Sequence, residues 1–281
     1  MAKGKLSKFL LLPSLLVTIC LLLLSCEEIF VLTPPQNLII STYTDSVSVE
    51  LSWDPVLNAS GYYVYFNDVH IATVSDAEYV HLKPMETGNY YVTAYRAGTE
   101  TDPSNTITDI PVVTEETLVE IEGPGNSGFG WDRTTGIGTT YSMADSTHAS
   151  DIDFYFSNWN DDPGGGPWGG TYNIMSPDEI TNDPCCATWP IADNWRQTIF
   201  TEALTPTFNN VDTLPPIGYY NLQKVTVGET YGVNTWDGYY GMVKIENITT
   251  VNGSVEVKAA FQTVKGLRLI KVGTSVLASS F

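Results

Sequence analysis

Between Ser46 and Trp53 apolar and polar residues alternate without interruption, Val47, Val49, Leu51 and Trp53 against Ser46, Ser48, Glu50 and Ser52. A period of two puts each set on its own side of an extended strand and excludes a helix, whose faces repeat about every 3.6 residues. Runs of the same kind follow at 61–66, 71–74, 78–82 and 89–95, separated by the turn-formers Asn67-Asp68, Pro84 and Gly88. Short strands at that spacing predict an antiparallel β-sandwich.

Individual residues of this stretch resemble a fibronectin type III domain over 33–113. Pro34-Pro35-Gln36-Asn37-Leu38 is similar to the entry into that family's first strand, and Leu51-Ser52-Trp53-Asp54-Pro55 to its second, with the core tryptophan. Gly61-Tyr62-Tyr63-Val64-Tyr65 resembles the third strand. Leu82-Lys83-Pro84, followed by Tyr90-Tyr91-Val92-Thr93-Ala94, resembles the approach to the tyrosine corner and the sixth strand. Two extra residues between Leu82 and Tyr90 leave the corner to Tyr90 or Tyr91. The resemblance implies a spacer or adhesive module with Trp53 in its core, and no Arg-Gly-Asp accompanies it.

The N-terminus carries a different signal. Lys3, Lys5 and Lys8 precede an apolar run from Phe9 that ends at Leu23-Leu24-Ser25-Cys26. The run is shorter than the roughly twenty residues a spanning helix needs. It resembles the signal peptide and lipobox of bacterial lipoproteins, apart from the bulky Leu24. That resemblance implies removal of residues 1–25, lipidation of Cys26 as a membrane anchor, and a tether over 26–32. Glu27 and Glu28 are similar to surface-export signals, so the expected location is the outer membrane or cell surface.

Charge narrows the partners. Three of the thirteen basic residues precede Cys26 and all thirty-two acidic residues follow it, so the mature chain carries a net charge of about −22. Such a field repels nucleic acid and anionic headgroups. Beyond Cys20 and Cys26 the chain has only the adjacent pair Cys185-Cys186, which can close a vicinal disulfide or stay as inert thiols. Packing, not a disulfide framework, must therefore hold the fold.

Residues 114–281 predict a second, larger β-sandwich or jelly roll with long loops, which makes the whole chain all-β. Strands are expected at 118–122, at 151–156 where Ile152, Phe154 and Phe156 alternate with Asp151, Asp153 and Tyr155, and at 254–264. A hairpin is expected from 231–236 to 239–245 through Asp237-Gly238 in a type I′ turn. Residues 193–204 predict the one helix, with Asp193 as N-cap and Trp195, Ile199 and Phe200 on one face. The run Gly228 to Tyr240 resembles hairpins of HmuY-type haem-binding lipoprotein domains, but no haem-ligand pair accompanies it.

The stretch 157–184 concentrates candidate chemistry, because long loops without structure of their own are usually functional or disordered. Asp151, Asp153, Asp161 and Asp162 offer hard oxygen ligands for Ca²⁺, although Pro163 and Gly169 break an EF-hand pattern. Trp159, Trp168, Tyr172 and Trp236 offer flat rings on which a sugar can pack, with Trp131 and Trp189 as further aromatics. Solvated acidic surface and core-capping aromatics are the plainer alternatives. The glycine run 164–170 lacks the Lys-Ser/Thr of a phosphate loop, His148 stands alone in this region, and no Gly-x-Ser-x-Gly is present. No catalytic residue is assigned. The expectation is a non-catalytic, lipid-anchored envelope protein whose fibronectin-like spacer presents a domain that binds carbohydrate or another extracytoplasmic ligand. A structural protein that binds another envelope protein and an exported glycan-acting enzyme are the alternatives.

Overall fold

Eight strands lead the chain in the computed structural model, which describes residues 31–121, 123–158, 172–181, 194–249 and 253–272. They are β1 (Ile39–Thr42), β2 (Val49–Ser52), β3 (Gly61–Phe66), β4 (Val69–Val74), β5 (Glu78–His81), β6 (Asn89–Arg96), β7 (Thr99–Glu100) and β8 (Ile107–Thr108). One antiparallel sheet has the order β1-β2-β5; the other has the order β4-β3-β6-β7, with β8 also pairing β6. Val49, Leu51 and Trp53 point inward from the first sheet, and Tyr62, Val64, Tyr90, Val92 and Ala94 from the second. Trp53 meets Tyr62 edge-on at 5.2 Å. The alternation starts later than its sequence suggests: Val47 and Ser48 lie in a turn whose amides are capped by Asp45, and Ser48 is fully buried.

Tyr90, not Tyr91, is the buried tyrosine of β6, and its hydroxyl lies 2.9 Å from Nδ1 of His81. The β3–β4 hairpin turns through Asn67 and Asp68, both at positive φ, the conformation a two-residue type I′ turn requires.

The second sandwich is built from β9 (Val112–Val119), β10 (Gly128–Trp131), β11 (Gly138–Tyr141), β12 (Phe154–Ser157), β13 (Asn173–Met175), β14 (Thr198–Ala203), β15 (Tyr219–Tyr220), β16 (Leu222–Lys224), β17 (Thr230–Thr235), β18 (Tyr240–Thr249) and β19 (Ser254–Phe261). A five-stranded sheet, β11-β10-β12-β13-β16, faces a six-stranded one, β15-β14-β17-β18-β19-β9. Phe129, Trp131, Phe154, Phe156, Phe200, Tyr231 and Phe261 fill the space between them. Both outer faces are covered too, one around Met143, Ile152, Tyr155 and Met175, the other around Phe208, Leu214, Met242 and Ile270. That double burial is why β12 has no exposed side.

Three local expectations are corrected. The described part of the expected helix at 193–204 is a turn and an irregular stretch followed by strand β14, which pairs with β17 and β15. Its β-branched Thr198, Ile199 and Thr201 fit a pleated surface better than a helix, and sheet pairing overrides the weak helical pattern. The β17–β18 hairpin does not use a type I′ turn. The Gly238 amide bonds to the Thr235 carbonyl, Thr235 pairs with Tyr239, and only Gly238 has positive φ, which makes a three-residue loop with a glycine bulge. The strand expected at 118–122 begins earlier, at Val112, and ends at Val119, because its register is set by eight paired positions along β19.

The two sandwiches share a joint that no local pattern announces. After β19 the chain returns to the first sandwich, and Val264, Leu267 and Leu269 join its buried cluster with Val49, Leu51 and Trp53. Gln262, fully buried, donates from Nε2 to the carbonyls of Asp109 and Leu269, and its Oε1 accepts from the Val264 amide. The Arg268 amide donates to the Ser46 carbonyl, while the amides of Leu214 and Ile270 bond to Arg268 and Asp212 carbonyls. Thr42 and Thr87 add hydroxyl bonds to the carbonyls of Lys265 and Lys271. A hydrophobic, hydrogen-bonded interface of this kind suppresses the domain motion that a short linker would otherwise allow.

Removing Leu267 and Leu269 side chains together should cost several kcal/mol, at roughly 2–5 kcal/mol per buried leucine. Calorimetry should show one melting transition for the native chain and two for the variant, with the first sandwich melting earlier.

Asp109 sits at the same joint with no exposed surface; its Oδ1 accepts from the Gly88 amide at 2.6 Å and its Oδ2 has no hydrogen-bond partner. Burial pushes its carboxyl up to about 7, against the lowering effect of the Gly88 amide. The folded value exceeds the unfolded one, so the contribution to stability is complete below about pH 4. It is lost as pH rises to about 7. Asp109→Asn should flatten that part of the pH–stability curve and stabilise the protein above pH 7, as read by urea unfolding at pH 5 and pH 8.

Candidate functional site

Of the residues singled out from sequence, Cys26, Trp159, Asp161, Asp162, Trp168, Cys185, Cys186 and Trp189 lie outside the described residues. Asp151, Asp153, Tyr172 and Trp236 lie within them. Asp153 is not a free calcium ligand but the centre of a buried ion cluster. Its Oδ1 accepts from Arg133 Nη2 at 2.7 Å and Arg196 Nη1 at 2.9 Å, and its Oδ2 from Arg133 Nη1 at 2.8 Å and the Trp131 amide at 2.9 Å. With both oxygens occupied and the side chain at 0% exposure, a cation would have to displace two guanidiniums. Asp151 is instead half-exposed, 3.2 Å from Nδ1 of His148. Among the described residues no cluster of three His, Cys, Asp or Glu side chains is arranged to hold a metal ion.

Arg133 carries the cluster across to the other sheet. Its Nε and Nη2 donate to Asp237 at 2.8 and 3.0 Å, and its guanidinium lies over the rings of Tyr239 and Phe261. Burial would raise the Asp237 carboxyl, but hydrogen bonds from Arg133 and Thr235 outweigh it and hold it below its ordinary value. Two carboxylates and two guanidiniums thus neutralise one another and tie the β17–β18 turn to β10 and β12. Asp153→Asn would leave both guanidiniums facing an amide, at a cost of about 3–5 kcal/mol. The melting midpoint should fall by on the order of 10 °C in a thermal scan.

Tyr172 and Trp236 do not form one platform. Tyr172 stacks on Phe156 at 5.3 Å, next to the Ser157–Asn173 pairing at the far end of β12. Trp236, 63% exposed, occupies the hairpin tip that Asp237 and Arg133 fasten to the Asp153 end.

The assembled aromatic surface is on the first sandwich. On the outer side of β3 and β6, Tyr65 stacks on Tyr91 at 4.7 Å and 13°, and Tyr63 on Tyr95 at 4.4 Å and 14°. Gly61 makes the second pair possible: a β-carbon there would sit 2.8 Å from the Tyr95 hydroxyl. His70 of β4 packs against Tyr63 and Tyr65. Beside the Tyr65–Tyr91 pair opens a groove of about 720 Å³, lined further by Asn67, Asp68, Asn89, Thr93, Glu100 and Asp102. Glu100 Oε1 accepts from Tyr65 at 2.9 Å and Thr93 at 2.6 Å. Burial, reinforced by the Glu100 bond, pushes the Tyr65 hydroxyl up to about 12, so it is a fixed donor at neutral pH. Burial with Asp68 and Glu100 nearby also raises Tyr91.

Sequence reasoning passed over this face, although a signal was present. Tyr62, Val64 and Phe66 with Tyr90, Val92 and Ala94 already supply the inward set, so Tyr63, Tyr65, Tyr91 and Tyr95 exceed what the core needs.

No protein-family profile matches the chain, and no curated protein matches it. Among solved structures, the chain is similar to a mutant of FN3tt, with 19% identity over 27% of this chain and 90% of that one and a TM-score of 0.23. It is also similar to a Fn3-like protein from Clostridium thermocellum, with 22% identity over 26% and 86% and a TM-score of 0.24. A Clostridium perfringens ZmpB structure with an M60 catalytic domain and two CBM51 domains matches at 12% identity over 84% and 31%, with a TM-score of 0.23.

Proposed function

We propose that the chain is a non-catalytic envelope protein, anchored through lipid on Cys26, whose two fused sandwiches form a single body that binds a ligand outside the membrane. The joint is the observation that carries this reading. Because Val264, Leu267 and Leu269 complete the core of the first sandwich, that sandwich is part of the binding body rather than a free spacer. The aromatic groove on its outer face gives the body a place to bind. Two or more acyl chains at Cys26 would make the anchoring stable, whereas one chain alone binds reversibly. The net negative charge of the mature chain supports a ligand other than nucleic acid or anionic lipid headgroups, which it repels. Glu27 and Glu28 favour the outer membrane or cell surface as the site of display.

Cys26→Ala tests the anchor. The variant should lose incorporation of labelled fatty acid and move from the detergent phase to the aqueous phase on Triton X-114 partitioning; partitioning identical to the native chain would sink the proposal.

A further inference from the structure

Resting on the reading of the chain as a binding protein, we infer that the groove beside Tyr65 and Tyr91 is a binding site for a neutral oligosaccharide. Its volume, about 720 Å³, lies within the range of pre-formed small-ligand sites. Its lining contains Tyr65, Tyr91, Thr93, Asn67, Asn89 and Glu100 and no lysine or arginine, so phosphate, sulfate and carboxylate ligands have no counter-charge there. Nor is it a lipid or steroid site, because no aliphatic side chain larger than proline lines it.

What remains is a surface of mixed hydrogen-bonding character beside aromatic rings. Asparagine amides and threonine hydroxyls both donate and accept, and carboxylates accept. Sugar hydroxyls, which also do both, can pair with every one of these groups. A simple cation could use only the acceptors. The C–H faces of a pyranose ring supply apolar surface for the half-buried Tyr65 and Tyr91.

The groove is also pre-organised. Asn67 Oδ1 accepts from the Asn89 amide at 2.9 Å, which fixes the side chain at the groove's edge and leaves its amide N–H₂ to donate. Glu100 is aimed by Tyr65 and Thr93 through one oxygen, and its Oε2 takes no part in those bonds. Polar groups held in place before the ligand arrives lose less conformational freedom on binding, so more of the contact energy appears as affinity.

The test uses the full chain from Cys26 onward and a panel of cello-, xylo-, malto- and manno-oligosaccharides, screened by thermal shift and followed by isothermal titration. At least one series should raise the melting midpoint. Binding should persist between low and high salt, and Tyr91→Ala should weaken it by roughly tenfold or more. Tyr65→Phe keeps the ring stack and removes the hydroxyl that aims Glu100; it should weaken binding several-fold without moving the midpoint of the free protein, which covers the case in which Tyr91→Ala unfolds. Three results would overturn the assignment: no oligosaccharide binding at millimolar concentration, equal binding by both variants, or binding abolished by salt. Detergent partitioning in the same preparation separates the claims, because a chain that still partitions through Cys26 but binds no sugar overturns the groove alone.

Discussion

The return of the chain from β19 into the first sandwich is the contact on which the rest of the architecture depends. Val264, Leu267 and Leu269 come from beyond the last strand, yet they are buried beside Val49 and Trp53, more than two hundred residues earlier. A small sandwich buries too little surface to be very stable alone, and here three of its buried apolar side chains are supplied by the far end of the chain. Contacts of such long sequence separation must close a large loop before they stabilise anything, so the first sandwich should reach its final packing only after the second has formed. The two halves therefore act as one body in stability and in presentation, although each has a core of its own.

Polar groups are buried at the two places where the apolar layers need orientation as well as attraction. Gln262 at the joint satisfies the Asp109 carbonyl and, from the returning segment just after it, the Leu269 carbonyl and the Val264 amide, which specifies how the two segments align in a way that leucine packing does not. Asp153 does the same between the sheets of the second sandwich by gathering Arg133, Arg196 and the Trp131 amide. Net stabilisation from such clusters is small once desolvation is counted, but their disruption is costly, so they act chiefly as constraints on geometry. Asp109 is the exception, for one of its oxygens is left without a partner and its charge is disfavoured there.

Sequence showed most of the first sandwich because each strand has one wet face. The expected run 61–66 is β3 residue for residue, and the runs 78–82 and 89–95 differ from β5 and β6 by a single terminal residue each. The second sandwich was less legible for the opposite reason: loops and edges bury its outer faces, so β12 shows Phe154, Tyr155 and Phe156 all inside, and β14 imitates a helix. The joint was invisible, since a sequence pattern reports periodicity and not which distant surface a segment will meet. At the candidate site the difficulty was different. Acidic residues and tryptophans in the long loop drew attention by composition, whereas the tyrosine face is spread over β3 and β6 and assembles only when Tyr65 is paired opposite Tyr91. Asp153 showed the converse error, for an acidic residue beside an apolar strand reads as a ligand until the arginines that reach it are known.

The proposed anchoring and the groove constrain each other through distance. Residues 26–32 can extend at most about 25 Å, at roughly 3.5 Å per residue, before the chain enters the first sandwich. The groove lies on that sandwich, and the joint prevents the sandwich from swinging independently of the second. A lipid on Cys26 would therefore hold the groove near the membrane, and a ligand would have to come to that surface to be bound. Under that proposal, rigid fusion and a short tether would act together, because both limit how far the groove can travel from the anchor.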